Sequence, residues 1–211
     1  MVKVFTIVLS ILICAAAHAQ DMKDIFDPEA KVTWLGLDFT GVKFIGDRER
    51  YGSLSDTRHL IQAWNDILIK ERDKYNAGRA VDKRRVNEAL EVTIEHNANL
   101  ELLDFFSENA GDYLHLNPDL VKTIVSEYDF KGNQGLGLIF IVESFNKPDQ
   151  EAAAWITFVD MNSKNVLLTE RVYGKPGGAG IRNYWANSVH DMMDKMRSKE
   201  FKAWRKRYTG K

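Results

Sequence analysis

Gly135–Gly174 reads GLGLIFIVESFNKPDQEAAAWITFVDMNSKNVLLTERVYG, and the fold turns on this stretch. Three apolar runs rich in β-branched and aromatic residues, Gly135–Phe145, Glu151–Met161 and Asn165–Gly174, are separated only by NKPDQ and NSK. Runs of this composition bounded by turn formers are strands. A parallel crossover needs a dozen or more residues, so joins this short predict a consecutive antiparallel meander.

Immediately downstream, GKPGGAGIRNYWA leads into a helix predicted over Ile181–Met196, whose inner side carries Trp185, Val189, Met192, Met193 and Met196. The backbone N–H groups of Gly177, Gly178 and Gly180, with Arg182 and Asn183, form a candidate anion site at a helix N-terminus, where a guanidinium could clamp a phosphate or carboxylate. The spacing matches neither the phosphate-binding loop nor the dinucleotide fingerprint. The competing reading is a joint in which glycines supply positive φ, Asn183 caps locally and Trp185 enters the core.

The chain then ends in KMRSKEFKAWRKRYTGK, its one strongly polarised segment. Phe201, Trp204 and Tyr208 share a helical face with a basic rim, so Lys202, Trp204, Arg205 and Arg207 are candidate contacts for an anionic membrane surface or an acidic partner. Alternatively the aromatics dock on the domain and the cations stay solvated.

Upstream, KVTWLGLDF (Lys31–Phe39) predicts a strand buried on both faces, which TGVKFIGDRERYG extends beyond a bulge or turn at Gly41. Leu60, Ile61, Trp64, Ile67, Leu68 and Tyr75 recur at helical spacing over Leu54–Tyr75, with Ser53, Ser55 or Asp56 available as cap. Val86–Leu100 fits one helical face, although Glu91–Glu95 also alternates like a strand; the helical reading is adopted. Asn117 and Pro118 open a short helix, NPDLVKTIVSEY. An early strand, helices, a meander and a closing helix predict an α+β or α/β sandwich of two or three layers, with a mixed sheet whose C-terminal three-strand antiparallel meander is packed by helices.

At the other end, Lys3, the apolar run Val4–Ala17 and the small-residue exit Ala17-His18-Ala19 predict a secretory signal peptide over residues 1–19. Cys14 follows Ile13 and fits a lipid-attachment site poorly. Cleavage after Ala19 leaves no cysteine, which excludes disulfides, thiolate metal ligands and cysteine nucleophiles. Residues 20–30 (QDMKDIFDPEA) are polar and lack periodicity, the signature of a flexible leader, and residues 31–211 form one globular domain with a basic C-terminal helix. With 29 basic and 30 acidic side chains the chain has no bias that calls for nucleic acid. No second apolar run is long enough for a transmembrane span, so any membrane contact would be peripheral.

No catalytic or cofactor motif is present. His59, His96, His115 and His190 are scattered without ligand spacing, so no metal site is predicted. Ser53 in YGSLS lacks the glycine pattern of a nucleophile turn, and Ser53 or Ser55 reads as a helix cap. Asp38 and Glu143, on strands that could be neighbours, are a candidate carboxylate pair for acid/base work, with Arg182 to orient substrate; the competing reading is strand-end hydrogen bonding or exposure.

The segments WLGLDFTGVKFIG, GLGLIFIVESFNK, FVDMNSKNVLLTERV and GKPGGAGIRNYWA resemble a group of uncharacterised exported bacterial proteins. More remotely, the hairpin WITFVDMNSKNVLLTERVYG, with Asp160 before its turn, is similar to the small periplasmic α/β domain of curli-secretion CsgG-type and penicillin-binding-protein activator LpoB-type proteins. That resemblance implies an exported, periplasmic or secreted, non-enzymatic binding or assembly module of the bacterial cell envelope, with a protein or envelope component as partner and no cofactor. The alternatives are a hydrolase acting on an anionic or glycan substrate, and a peripheral surface-associating protein using the basic aromatic C-terminus.

Overall fold

The computed structural model describes residues 20–210; the expected signal peptide over 1–19, with Cys14, lies outside the described residues. In chain order the elements are α1 (Met22–Phe26), β1 (Val32–Asp38), β2 (Lys43–Ile45), α2 (Leu54–Lys70), α3 (Ala77–Ala80), β3 (Val86–Glu88), α4 (Leu90–Ala98), β4 (Phe106–Ser107), α5 (Pro118–Ser126), β5 (Leu136–Asn146), β6 (Glu151–Asp160), β7 (Asn165–Gly174), α6 (Ile181–Lys195) and α7 (Phe201–Thr209). Short 3-10 turns join several of them, and a π-type turn over Met196–Glu200 links α6 to α7.

β5 organises the sheet. Along one edge it pairs antiparallel with β6, which pairs antiparallel with β7, so the two predicted hairpins form. Along its other edge β5 pairs in parallel with β1 and then β2, laid end to end. Asp38 and Lys43 are matched to Ile141 and Ser144, so the turn at Gly41 loops residues out of an otherwise continuous strand. β3 and β4 add parallel edge pieces to β1 and β2. The result is a mixed α/β fold, a mostly parallel sheet packed by helices.

Alternation along the strands separates two apolar clusters. Leu138, Phe140 and Ile156 face α2, α6 and α7, whose Trp64, Trp185 and Phe201, with Met196 of the π-type turn, complete that layer. Ile139, Ile141 and Val159 face Val121, Ile124 and Val125 of α5, with Tyr128 and Phe130 behind it. A strand buried on both faces reads as a continuous apolar run, which explains why β5 shows no alternation of polarity.

Local signals set several boundaries. Ser53 caps α2 in a reciprocal box with Asp56. Asn117 Oδ1 accepts from the Asp119 and Leu120 N–H groups at 3.0 Å, ahead of Pro118 at the first helical position.

Three expectations are corrected. Residues 20–30 are not a featureless leader: Asp21 and Asp24 box the start of α1, and Ile25 and Phe26 are buried against the domain, with Phe26 5.3 Å from the Phe201 ring. Val86–Leu100 is not one helix: Val86–Glu88 is a strand, and α4 starts only at Leu90, because β1 offers an unpaired edge that the first residues fill. α2 ends at Lys70, short of Tyr75, which is nevertheless buried. Among the described residues no helix is long and apolar enough to cross a membrane.

Candidate functional site

Asp38 and Glu143 lie on the paired strands β1 and β5 and share the face covered by α5, but both are fully buried and fully engaged. Asp38 Oδ1 accepts from the Thr40 N–H at 2.8 Å, and Oδ2 accepts from the Thr40 hydroxyl at 3.1 Å and from the Tyr128 hydroxyl. His96 stacks on Tyr128 at 4.2 Å and brings Nε2 to 3.0 Å from Thr40 Oγ1 and 3.7 Å from Asp38 Oδ2. Burial pushes the Asp38 carboxyl up from its usual range, opposed by Tyr128, His96 and Thr40. Burial, and then the Asp38 charge, pushes the Tyr128 phenol up as well.

Glu143 is held by a fork. Arg171 Nε donates to Oε2 at 2.7 Å and Nη2 to Oε1 at 3.0 Å, while the Leu116 N–H donates to Oε1 at 2.7 Å. The same guanidinium donates to the Leu116 carbonyl at 2.8 Å and lies 4.5 Å over the Trp155 ring. These groups tie the α5 layer to the sheet. Arg182 lies in the first turn of α6, whose buried face packs on the opposite side of the sheet, so the structure does not bring it together with Asp38 or Glu143.

The glycine turn takes the joint geometry. Gly178 and Gly180 have φ of +92° and +77°, a region closed to most side chains. The Gly177 N–H donates to the Tyr184 carbonyl at 3.0 Å, and Trp185 is 1% exposed. The expected cap by Asn183 is corrected: Gly180 is the N-cap, and Asn183 Oδ1 instead accepts from Arg182 Nε and Nη2 at 3.1 and 3.0 Å. The Arg182 carbonyl accepts from Trp64 Nε1 at 2.9 Å, which locks the first turn of α6 onto α2.

Beside this turn opens a groove of about 440 Å³ between α2, the start of α6 and the 3-10 turn over Arg48–Tyr51. Tyr51, Leu60, Ala63 and Ile181 form an apolar floor, and Arg50, Asp56 and His59 stand around it. The Tyr51 hydroxyl shares its donation between the carbonyls of Ile45 and Phe145, at 2.9 and 2.8 Å, so the groove sits at the carboxyl ends of β2 and β5. Burial pushes the Tyr51 phenol up, which keeps it a neutral donor. The groove is lined by none of Gly177, Gly178, Gly180, Arg182 and Asn183, the residues that sequence singled out; it adjoins their turn only through Ile181, and sequence reasoning missed Tyr51 and His59. The signal for Tyr51 was weak: an aromatic beside a glycine, just past a strand.

The C-terminal candidates are corrected in part. Trp204 is 2% exposed and packs inward with Phe201, because the π-type turn keeps the aromatic face of α7 on the core face continued from α6. Arg205 pairs with Asp82 at 2.9 Å, and Arg207 and the Tyr208 hydroxyl both reach Glu170 at 2.6 Å. Lys202 is solvent-exposed. No cluster of three or more metal-ligating side chains forms among the described residues.

No protein-family model and no curated protein matches the chain.

Proposed function

We propose that the chain is an exported, non-enzymatic binding or assembly module of the bacterial cell envelope, and that the groove beside the glycine turn receives its partner. The observation that carries this reading is the placement of an open apolar floor, Tyr51, Leu60, Ala63 and Ile181, at the carboxyl end of the parallel strands. Open α/β sheets bind their ligands at that end. Arg50, Asp56 and His59 supply a polar rim around apolar contact area, the anatomy of a protein-binding patch. The envelope assignment draws on the signal-like N-terminus and on the resemblance to the periplasmic α/β domains. The acid and base groups inside the fold, Asp38 and Glu143, are consumed in holding layers together, which favours binding over catalysis.

Two measurements test the reading. N-terminal sequencing of protein recovered from the envelope fraction is expected to begin at Gln20. Leu60→Asp and Ile181→Asp, each placing a charge on the groove floor, are expected to abolish retention of an envelope partner while unfolding stays cooperative. Recovery of the unprocessed chain from the cytoplasm, or retention unchanged in both variants, overturns it.

A further inference from the structure

At the far end of α2 a second cavity, of about 370 Å³, opens between the link from α2 to α3 and the edge strand β3. Trp34, Leu68 and Leu90 lie beneath it, almost wholly buried in the core. Its walls carry Arg72, Asp73, Arg79, Lys83, Arg84 and Glu88. Two of these cations are already engaged. Arg84 is paired with Glu29, and Lys83 donates through Nζ to the carbonyls of Asp24 and Asp27, which fastens α1 to the domain. The remaining four, two guanidinium groups and two carboxylates, make no ion pair and no side-chain hydrogen bond among the described residues.

This charge pattern selects the ligand. An anion alone would satisfy Arg72 and Arg79 but face Asp73 and Glu88; a cation alone would meet the reverse. A molecule carrying both charges meets both pairs, with the planar guanidinium fork suited to a carboxylate and the acidic side chains to an ammonium. The volume is in the range of small-molecule pockets. We infer that this cavity binds a small zwitterion of the amino-acid class, a site separate from the groove at the start of α6.

Calorimetric titration of the whole protein with three probes sharing one isobutyl body tests the inference. Leucine carries both charges, N-acetyl-leucine only the carboxylate, and leucinamide only the ammonium. Leucine is expected to saturate with a Kd below about 1 mM, with each single-charge analogue weaker by about tenfold or more. Arg72→Ala with Arg79→Ala should weaken leucine by a similar factor without affecting leucinamide; Asp73→Asn with Glu88→Gln should weaken leucine and spare N-acetyl-leucine. All four positions are exposed, so the variants should keep the parent melting temperature. Absence of saturable leucine binding, any other ranking of the probes, or indifference to the arginine pair overturns the inference. Leu60→Asp, at the other end of α2, is expected to leave leucine binding unchanged, so failure here is distinct from failure of the groove.

Discussion

The side-chain amides of Asn65, on α2, and Asn97, on α4, converge on one backbone oxygen: each donates through Nδ2 to the Leu37 carbonyl at 2.8 Å. Their oxygens take the neighbouring donors, Asn65 Oδ1 accepting from the Leu37 N–H at 2.8 Å and Asn97 Oδ1 from the Phe39 N–H at 3.0 Å. Between β3 and β4 the outer edge of β1 has no strand, and two carboxamides stand in for the missing peptide groups. Gly36 makes the approach possible: it bulges at φ +97°, and a Cβ there would lie 2.5 Å from Asn65 Oδ1.

Asn65→Ala and Asn97→Ala should each cost about 1–3 kcal/mol, because each orphans a buried N–H. The double variant should cost more than the sum, since only then does the Leu37 carbonyl lose both donors. Urea unfolding of the two singles and the double measures the coupling. Additive losses would mean that the two amides do not share the oxygen.

Asp38 gives a pH signature. Its folded pKa is raised above the unfolded value of 3.8, so its contribution to stability is full below that value and is lost as pH rises through the folded pKa. The stability deficit of Asp38→Asn relative to the parent should therefore shrink between pH 4 and pH 8. A deficit that grows over that window would show that the carboxylate, not the acid, is the form the fold prefers.

Glu143 and Arg171 form a pair in which one partner is fully buried. Removing one side alone, by Arg171→Met, leaves an unpaired carboxylate in the interior and should cost about 3–5 kcal/mol. Glu143→Leu with Arg171→Met should recover part of that loss. Thermal melts of both variants decide; an equal or larger loss in the double would assign the damage to the Leu116 contacts instead.

Trp204 and Lys202 separate packing from surface chemistry on one helix. Trp204→Ala should destabilise by about 3–5 kcal/mol through the cavity it leaves. Lys202→Ala should stay within about 0.5 kcal/mol. If the tryptophan change were thermally silent and instead reduced binding to anionic vesicles, the inward aromatic face would be wrong.

Of the candidate site only the neighbouring turn was legible in the sequence. Glycines at 177, 178 and 180 announced a turn before a helix, because positive φ is written into residue type. Tyr51 and His59 were invisible as site residues, since nothing local ties a residue after β2 to the start of α6. The roles of Asp38 and Glu143 were also hidden: a carboxylate in a strand looks the same whether it meets water or, as here, a tyrosine and an arginine fork.

Sequence by itself determined the three strands of the meander, the helices α2, α5 and α6 and the cap at Asn117, because these depend on periodicity, turn chemistry and capping within a few residues; for α2 it offered several caps, of which the structure uses Ser53. Tertiary structure alone decided that β1 and β2 lie end to end against β5, that Val86–Glu88 leaves an expected helix to become an edge strand, and that Ile25 and Phe26 dock α1. Hydrophobic pattern records how many sides of a segment are buried but not by what, and parallel pairing, a three-residue strand and two asparagines completing a sheet edge are all set by neighbours distant in the chain.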